Sequence, residues 1–154
     1  ASRYEQIGVP NRFVQDNHSR SVRGVLRGLH FQLRHPQGKL LSMVRGAIYD
    51  VVADVAPDSP TFGRWLAVRL AEGEGKQLWV PAGYAHGFCV ESEVADVLYK
   101  CTDVYHPEDS FGVRWDDPRL GVRWPTSQPV LSPRDAALPL LGAMQPSELP
   151  RWSM

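Results

Sequence analysis

An all-β domain, a jelly-roll barrel of antiparallel strands followed by a short irregular and helical C-terminal segment, is the fold this sequence predicts, on three observations. Between residues 24 and 124 the chain breaks into apolar pieces of five to nine residues. The breaks are turn-forming strings (HPQG, RG, APDSP, AEGEG, PAG, ESE, HPED), and the 13 glycines and 13 prolines are scattered among them, which suits many short strands better than long helices. A small protein with that many antiparallel strands must close or stack its sheets, because open edges invite pairing with other chains.

The elements follow in order. Residues 39–55 read as two strands meeting at Arg45-Gly46-Ala47, with β-branched and aromatic residues on a period of two, and predict a hairpin. Residues 61–70, 76–81, 86–91 and 94–102 continue the strand series. In the last of these Ala95, Val97, Tyr99 and Cys101 share one face opposite Asp96, Leu98, Lys100 and Thr102, so Tyr99 points inward with the apolar set. Residues 126–154 hold five prolines and no strand-length alternation, which predicts loop with one or two short helical turns; Ser132 followed by Asp135 resembles an N-cap.

The 154 residues make one domain, 1–154, with no internal repeat. Lysine plus arginine and aspartate plus glutamate both number 17, so there is no basic footprint for nucleic acid, and any anion must be met locally. Apolar runs are too short for a membrane span. Two cysteines, Cys89 and Cys101, are too few for a disulfide framework and are not spaced as a Cys-x-x-Cys pair; with an ASRYEQ start in place of a basic and apolar leader, they predict a reduced, cytoplasmic protein without a signal peptide.

Pro81-Ala82-Gly83-Tyr84-Ala85-His86 matches the second half of the cupin barrel signature, PxGxxH, in which the histidine enters the barrel on the next strand. In metal-binding cupins the first half supplies His-x-His and then Glu. Here that segment reads Leu29-His30-Phe31-Gln32, with glutamine in place of the second histidine and no Glu in the next dozen residues. A three- or four-ligand site cannot be assembled from this pattern, which leaves the histidines for proton chemistry. His86 also fits a hydrogen-bonded core histidine on the face of Phe88 and Val90.

The strings FVQDNHSRSVRGVLRGLHFQ, PQGKL, SPTFGRW, PAGYAHGF, VLYKCTDVYHPE, RWDDP and LSPRDAALP run in order from Phe13 to Pro139 and resemble the dTDP-4-dehydrorhamnose 3,5-epimerase family. The resemblance implies a cupin jelly roll, a homodimer with exchanged N-terminal strands, and no metal or redox cofactor. It implies conversion of a dTDP-4-dehydro-6-deoxy-D-glucose to a dTDP-4-dehydro-L-rhamnose type product by epimerisation at C3 and C5. Such epimerisation removes a weakly acidic proton beside a ketone and returns one to the opposite face, so two opposed proton carriers are needed. Histidine, with an unperturbed pKa of about 6.5, is a competent base near neutral pH.

By the match, His30 is the base, Asp135 the carboxylate that orients it, Tyr99 the acid and Lys39 the cation beside the enolate oxygen; Lys39 is one of only three lysines against fourteen arginines. Gln15, Asp16, Asn17, Arg27, His86, Tyr105 and Arg134 carry over as contacts to the nucleotide diphosphate sugar. Strict alternation puts Arg27 and His30 on opposite faces of their strand, and a bulge at Gly28 is expected to reset the parity if both line the site. Two departures are visible. Some thirty upstream residues of the family, with an Arg-Gly pair and a Glu that help bind nucleotide, have no counterpart in this sequence. Where the family carries a substrate-contacting Glu, this chain has Ser110, with Glu108 or Asp109 as the nearby carboxylates. The competing readings are epimerisation of one carbon only, a metal-dependent cupin, and a non-catalytic nucleotide-sugar-binding barrel.

Overall fold

The computed structural model describes residues 3–152. A short helix α1 (Arg3–Gln6) leads into nine strands: β1 (Gln15–Val22), β2 (Leu26–Gln32), β3 (Lys39–Arg45), β4 (Ala47–Ala53), β5 (Trp65–Ala71), β6 (Gln77–Val80), β7 (Ala85–Val90), β8 (Val94–Cys101) and β9 (Ser110–Gly112). They form two antiparallel sheets, ordered β1-β8-β3-β6 and β5-β4-β7-β2-β9, packed as a jelly roll. Part of the space between the sheets is filled by Leu41, Ile48, Leu70, Val80, Phe88, Val90 and Val97.

The rest of the chain covers the back of the second sheet. Leu120, Leu141 and Leu149 pack with Leu29, Phe31, Val51, Ala53 and Ala85 in a second apolar cluster. β7, in the middle of that sheet, is buried at every position. The C-terminal segment is irregular as expected, with one short helix α2 (Pro133–Ala136) and 3₁₀ turns at Leu141–Ala143 and Pro146–Glu148. The Ser132 hydroxyl caps α2 by accepting from the Asp135 N–H at 3.0 Å.

The expected hairpin across Gly46 is corrected. A chain break does fall at Gly46, but β3 pairs with β6 and β8 while β4 pairs with β5 and β7. One residue is too short a link to fold two strands into a ladder, and the chain instead turns a corner from one sheet to the other. Gly46 sits at φ +76°, and a Cβ there would stand 2.1 Å from the Val94 carbonyl oxygen. A period of two reports which residues share a face, and it is silent on whether consecutive strands are neighbours.

The bulge expected at Gly28 is present. Arg27 pairs with Phe88 and His30 with His86, so three steps along β2 match two along β7. Gly28 has φ +128°, and an added Cβ would lie 2.5 Å from Gly87 Cα and 2.8 Å from the His86 carbonyl oxygen. Both obstacles are backbone, so nothing can rotate away. Gly28→Ala is expected to cost several kcal/mol, at or beyond the roughly 4 kcal/mol that marks exceptional single substitutions. Denaturant unfolding against wild type checks it; a loss of under about 1 kcal/mol would mean the bulge can relax.

Candidate active site

The inward positions of β1 are polar. Gln15, Asn17, Ser19 and Ser21 alternate with outward Asp16, His18, Arg20 and Val22, and Gln15 and Asn17 border a cavity and not packed core. The cavity, about 560 Å³, lies between the sheets and is closed on one side by residues 130–135. His30, Lys39, His86, Tyr99, Gln15, Asn17, Arg27, Tyr105, Arg134 and Asp135 all line it. Asp16 does not. It lies on the outward face of β1, where its carboxylate accepts from Lys100 Nζ at 2.9 Å.

The bulge and the C-terminal cap assemble the proton-handling end. By resetting the parity of β2, Gly28 turns both Arg27 and His30 towards the cavity. Helix α2 delivers Asp135, whose carboxylate meets His30 Nε2 in a short hydrogen bond. Burial alone would push the Asp135 carboxyl up, but the hydrogen bond and charge of His30, with Ser132 and Arg134 adding to them, hold it below the ordinary carboxylate value. Asp135 thus stays ionised and fixes the ring, leaving the other ring nitrogen for a proton.

Tyr99, on β8, faces the same cavity, as the alternation predicted. Its phenol is pushed up by burial first and by Cys101, against the nearby Arg27, so it remains protonated well above neutral pH. Lys39 opens β3, opposite Cys101 of β8. Burial pulls its ammonium down, opposed by Cys101 and by Asp50.

Asp50 escaped the sequence reading. It is fully buried on β4 and accepts from His86 Nε2 at 3.0 and 2.9 Å, while His86 lines the cavity. His86 is therefore both a hydrogen-bonded interior histidine and a wall of the site. An Asp at the parity of Ile48 and Val52, in an otherwise apolar strand, is the signal that marks it.

At the other end, two guanidinium groups are held by neutral oxygens. Arg27 donates to Ser21 Oγ at 3.1 and 2.9 Å. Arg134 donates to the Tyr105 hydroxyl at 2.9 Å, to Ser110 Oγ at 2.5 Å and to the Ser110 carbonyl at 3.2 Å. With no carboxylate in these contacts, both keep their charge available to an anion. Ser110 is thus part of the wall, and neither neighbouring carboxylate substitutes for the family Glu there. Asp109 is buried and accepts from the backbone N–H groups of Arg34 and His35, and Glu108 pairs with His106 at 3.2 Å. Among the described residues no group of three or more His, Cys, Asp or Glu converges as metal ligands, and no helix is long and apolar enough to cross a membrane.

Comparison with known proteins places the chain in a family. Residues 1–143 match the sequence profile of dTDP-4-dehydrorhamnose 3,5-epimerase. The dTDP-4-dehydrorhamnose 3,5-epimerase of Pseudomonas aeruginosa is 52% identical over 132 residues, covering 85% of this chain and 73% of its own. A dTDP-4-dehydrorhamnose 3-epimerase of Streptomyces niveus is 43% identical over 151 residues, covering 97% of this chain and 73% of its own. Among solved structures, the dTDP-6-deoxy-D-glucose-3,5-epimerase of Legionella pneumophila, in complex with dTDP-4-keto-L-rhamnose, superimposes with a TM-score of 0.93 at 52% identity, covering 100% of this chain and 83% of that one.

Proposed function

Because the chain belongs to the dTDP-4-dehydrorhamnose 3,5-epimerase family, a family of isomerases, we propose that its cavity binds a dTDP-4-keto-6-deoxyhexose and epimerises it at C3 and C5 through an enolate. The observation that carries this is the joint placement of the His30–Asp135 pair, Tyr99 and Lys39 on one cavity wall system. His30 takes the proton from the carbon beside the C4 ketone. The C–H electrons move into the ring and on to the C4 oxygen, where the Lys39 ammonium meets the developing charge. The Tyr99 phenol then delivers a proton to the opposite face, and both groups return to their starting states through solvent. Asp135 favours the imidazolium formed in the first step. Arg27 and Arg134 supply the two charged forks that a diphosphate requires.

Incubation with dTDP-4-keto-6-deoxyglucose in heavy water, followed by NMR, tests the reading. Deuterium at both C3 and C5 with inverted products is the expected result. The Streptomyces relative named as a 3-epimerase supports a second reading, epimerisation of one carbon, and deuterium at a single carbon would select it. Binding without any exchange would favour the non-catalytic barrel.

Lys39 gives the pH dependence. Since burial lowers its value, the ammonium is lost below the ordinary lysine pKa of about 10.4, and the rate falls there, before the raised Tyr99 phenol ionises. Over the same window Lys39 contributes stability that grows with rising pH, because the unfolded chain still holds a proton that the folded chain has released, while the raised thiols of Cys89 and Cys101 and the raised Tyr99 phenol act in the opposite direction. Lys39→Met should remove that alkaline stability gain and lower kcat by about 100- to 1,000-fold, as loss of one oxyanion donor does. A pH–rate profile with Tm measured at each pH checks both; a limb unchanged in Lys39→Met would assign it to another group.

The homodimer is proposed on the family resemblance. Outward positions of the first sheet carry Arg20–Asp96 and Lys100–Asp16 pairs, so that face is polar there. Sedimentation as one species near twice the 17.3 kDa chain mass supports it, and a monomer at micromolar concentration contradicts it.

A further inference from the structure

Gln32 stands where a metal-binding cupin would have its second histidine, and its side chain does something else. It is 5% exposed and sits where three segments cross: the end of β2, the turn before β3 and the loop after β8. Its amide nitrogen donates to the His35 carbonyl at 2.6 Å and to the Val104 carbonyl at 3.3 Å. Its amide oxygen accepts from the His106 N–H at 2.9 Å. Both amide donors and the acceptor are thus engaged with backbone, two of the three contacts flanking Tyr105.

The same seam is closed by neighbours. Gln37 Nε2 donates to the Asp103 carbonyl at 2.7 Å, and the His35 and His106 rings stack with centroids 4.1 Å apart. What the seam holds is Tyr105, whose N–H donates to Gln15 Oε1 at 2.8 Å and whose hydroxyl receives Arg134. Gln32 and Gln37 themselves border the cavity, but none of these hydrogen bonds is made to His30, Tyr99 or Lys39.

We propose that Gln32 is a positioning residue for the diphosphate end of the site: by bonding backbone on both sides of Tyr105 it sets that ring, and through it the Arg134 guanidinium, while leaving proton transfer alone. The assignment rests on the reading of the cavity as a nucleoside-diphosphate-sugar site. A glutamine is required because a carboxylate at neutral pH cannot donate to the two carbonyls and an apolar side chain can satisfy none of the three groups.

The test is Gln32→Met, similar in length and without hydrogen bonds. Kd for dTDP by calorimetry and KM for dTDP-4-keto-6-deoxyglucose should each rise about tenfold, equivalent to 1.4 kcal/mol, with kcat within about threefold of wild type. Adding Tyr105→Ala to Gln32→Met should raise Kd by much less than Tyr105→Ala does alone, since both act on one contact chain. Should Gln32→Met fail to fold, Gln37→Met cuts the adjacent tie and is expected to give the same split at smaller size. An unchanged Kd, a fall in kcat at constant KM, or full additivity with Tyr105→Ala overturns the assignment while the functional reading stands. Wild type that binds neither dTDP nor the sugar nucleotide overturns both.

Discussion

His30→Asn is expected to lower turnover by about 100- to 10,000-fold, the range a positioned general base contributes, while dTDP binding stays near wild type. The imidazole is the base in this scheme; its partner Asp135 also borders the cavity, but its carboxylate is engaged by His30 and held below the ordinary carboxylate value, which makes it a poor base in its own right. Asparagine keeps a polar group facing Asp135, so the substitution removes basicity more than structure. The proposed nucleotide contacts, Arg27 and Arg134, hydrogen-bond to Ser21, Tyr105 and Ser110 and not to His30, so the substitution leaves their partners in place. Deuterium wash-in at C3 and C5, followed by NMR, measures the loss, with dTDP affinity as the control. Exchange at both carbons at the wild-type rate would remove His30 from the base role.

Tyr99→Phe should produce a different defect. Phenylalanine preserves the ring's packing beside Val97 and Leu41 in the barrel interior, so the fold is retained. The variant still has His30 to take a proton and return one to the same face, but nothing to protonate the other. Net inversion is expected to fall by about 100- to 10,000-fold, with deuterium wash-in falling much less. The ratio of wash-in to inversion, expected near unity in wild type, is the diagnostic quantity. Equal losses in both would mean that Tyr99 serves an earlier step, and unchanged inversion would exclude it as the acid.

How far the sequence foretold this depends on which physical signal each residue carries. Strands with an apolar face announced themselves, and the parity of Tyr99 followed from its apolar neighbours Ala95, Val97 and Cys101. β1 did not, because its inward face is polar, and a hydrophobic pattern cannot see a strand that borders a cavity. The conflict between Arg27 and His30 was legible and forced the Gly28 bulge, a case in which a broken local rule marked the site. The partnership of His30 with Asp135 joins residues 105 apart in sequence, and no local pattern reports such a contact; it came from resemblance alone. Asp50 was available as a lone carboxylate at an inward position, and its partner His86 lies 36 residues away. Gly46 misled because pattern gives facing and not pairing: a sheet-to-sheet corner and a hairpin have the same alternation on either side. Gln32 was noticed for the ligand it lacks, whereas its three backbone hydrogen bonds depend on loops whose course only the folded chain reveals.

A crystal structure of His30→Asn with dTDP-4-keto-6-deoxyglucose trapped in the cavity would decide whether this architecture performs the proposed chemistry. It should show residue 30 and the Tyr99 hydroxyl on opposite faces of the sugar ring at C3 or C5, the C4 oxygen about 3 Å from Lys39 Nζ, and the diphosphate between Arg27 and Arg134. A sugar bound with residue 30 and Tyr99 on the same face, or with its ketone turned away from Lys39, would contradict it.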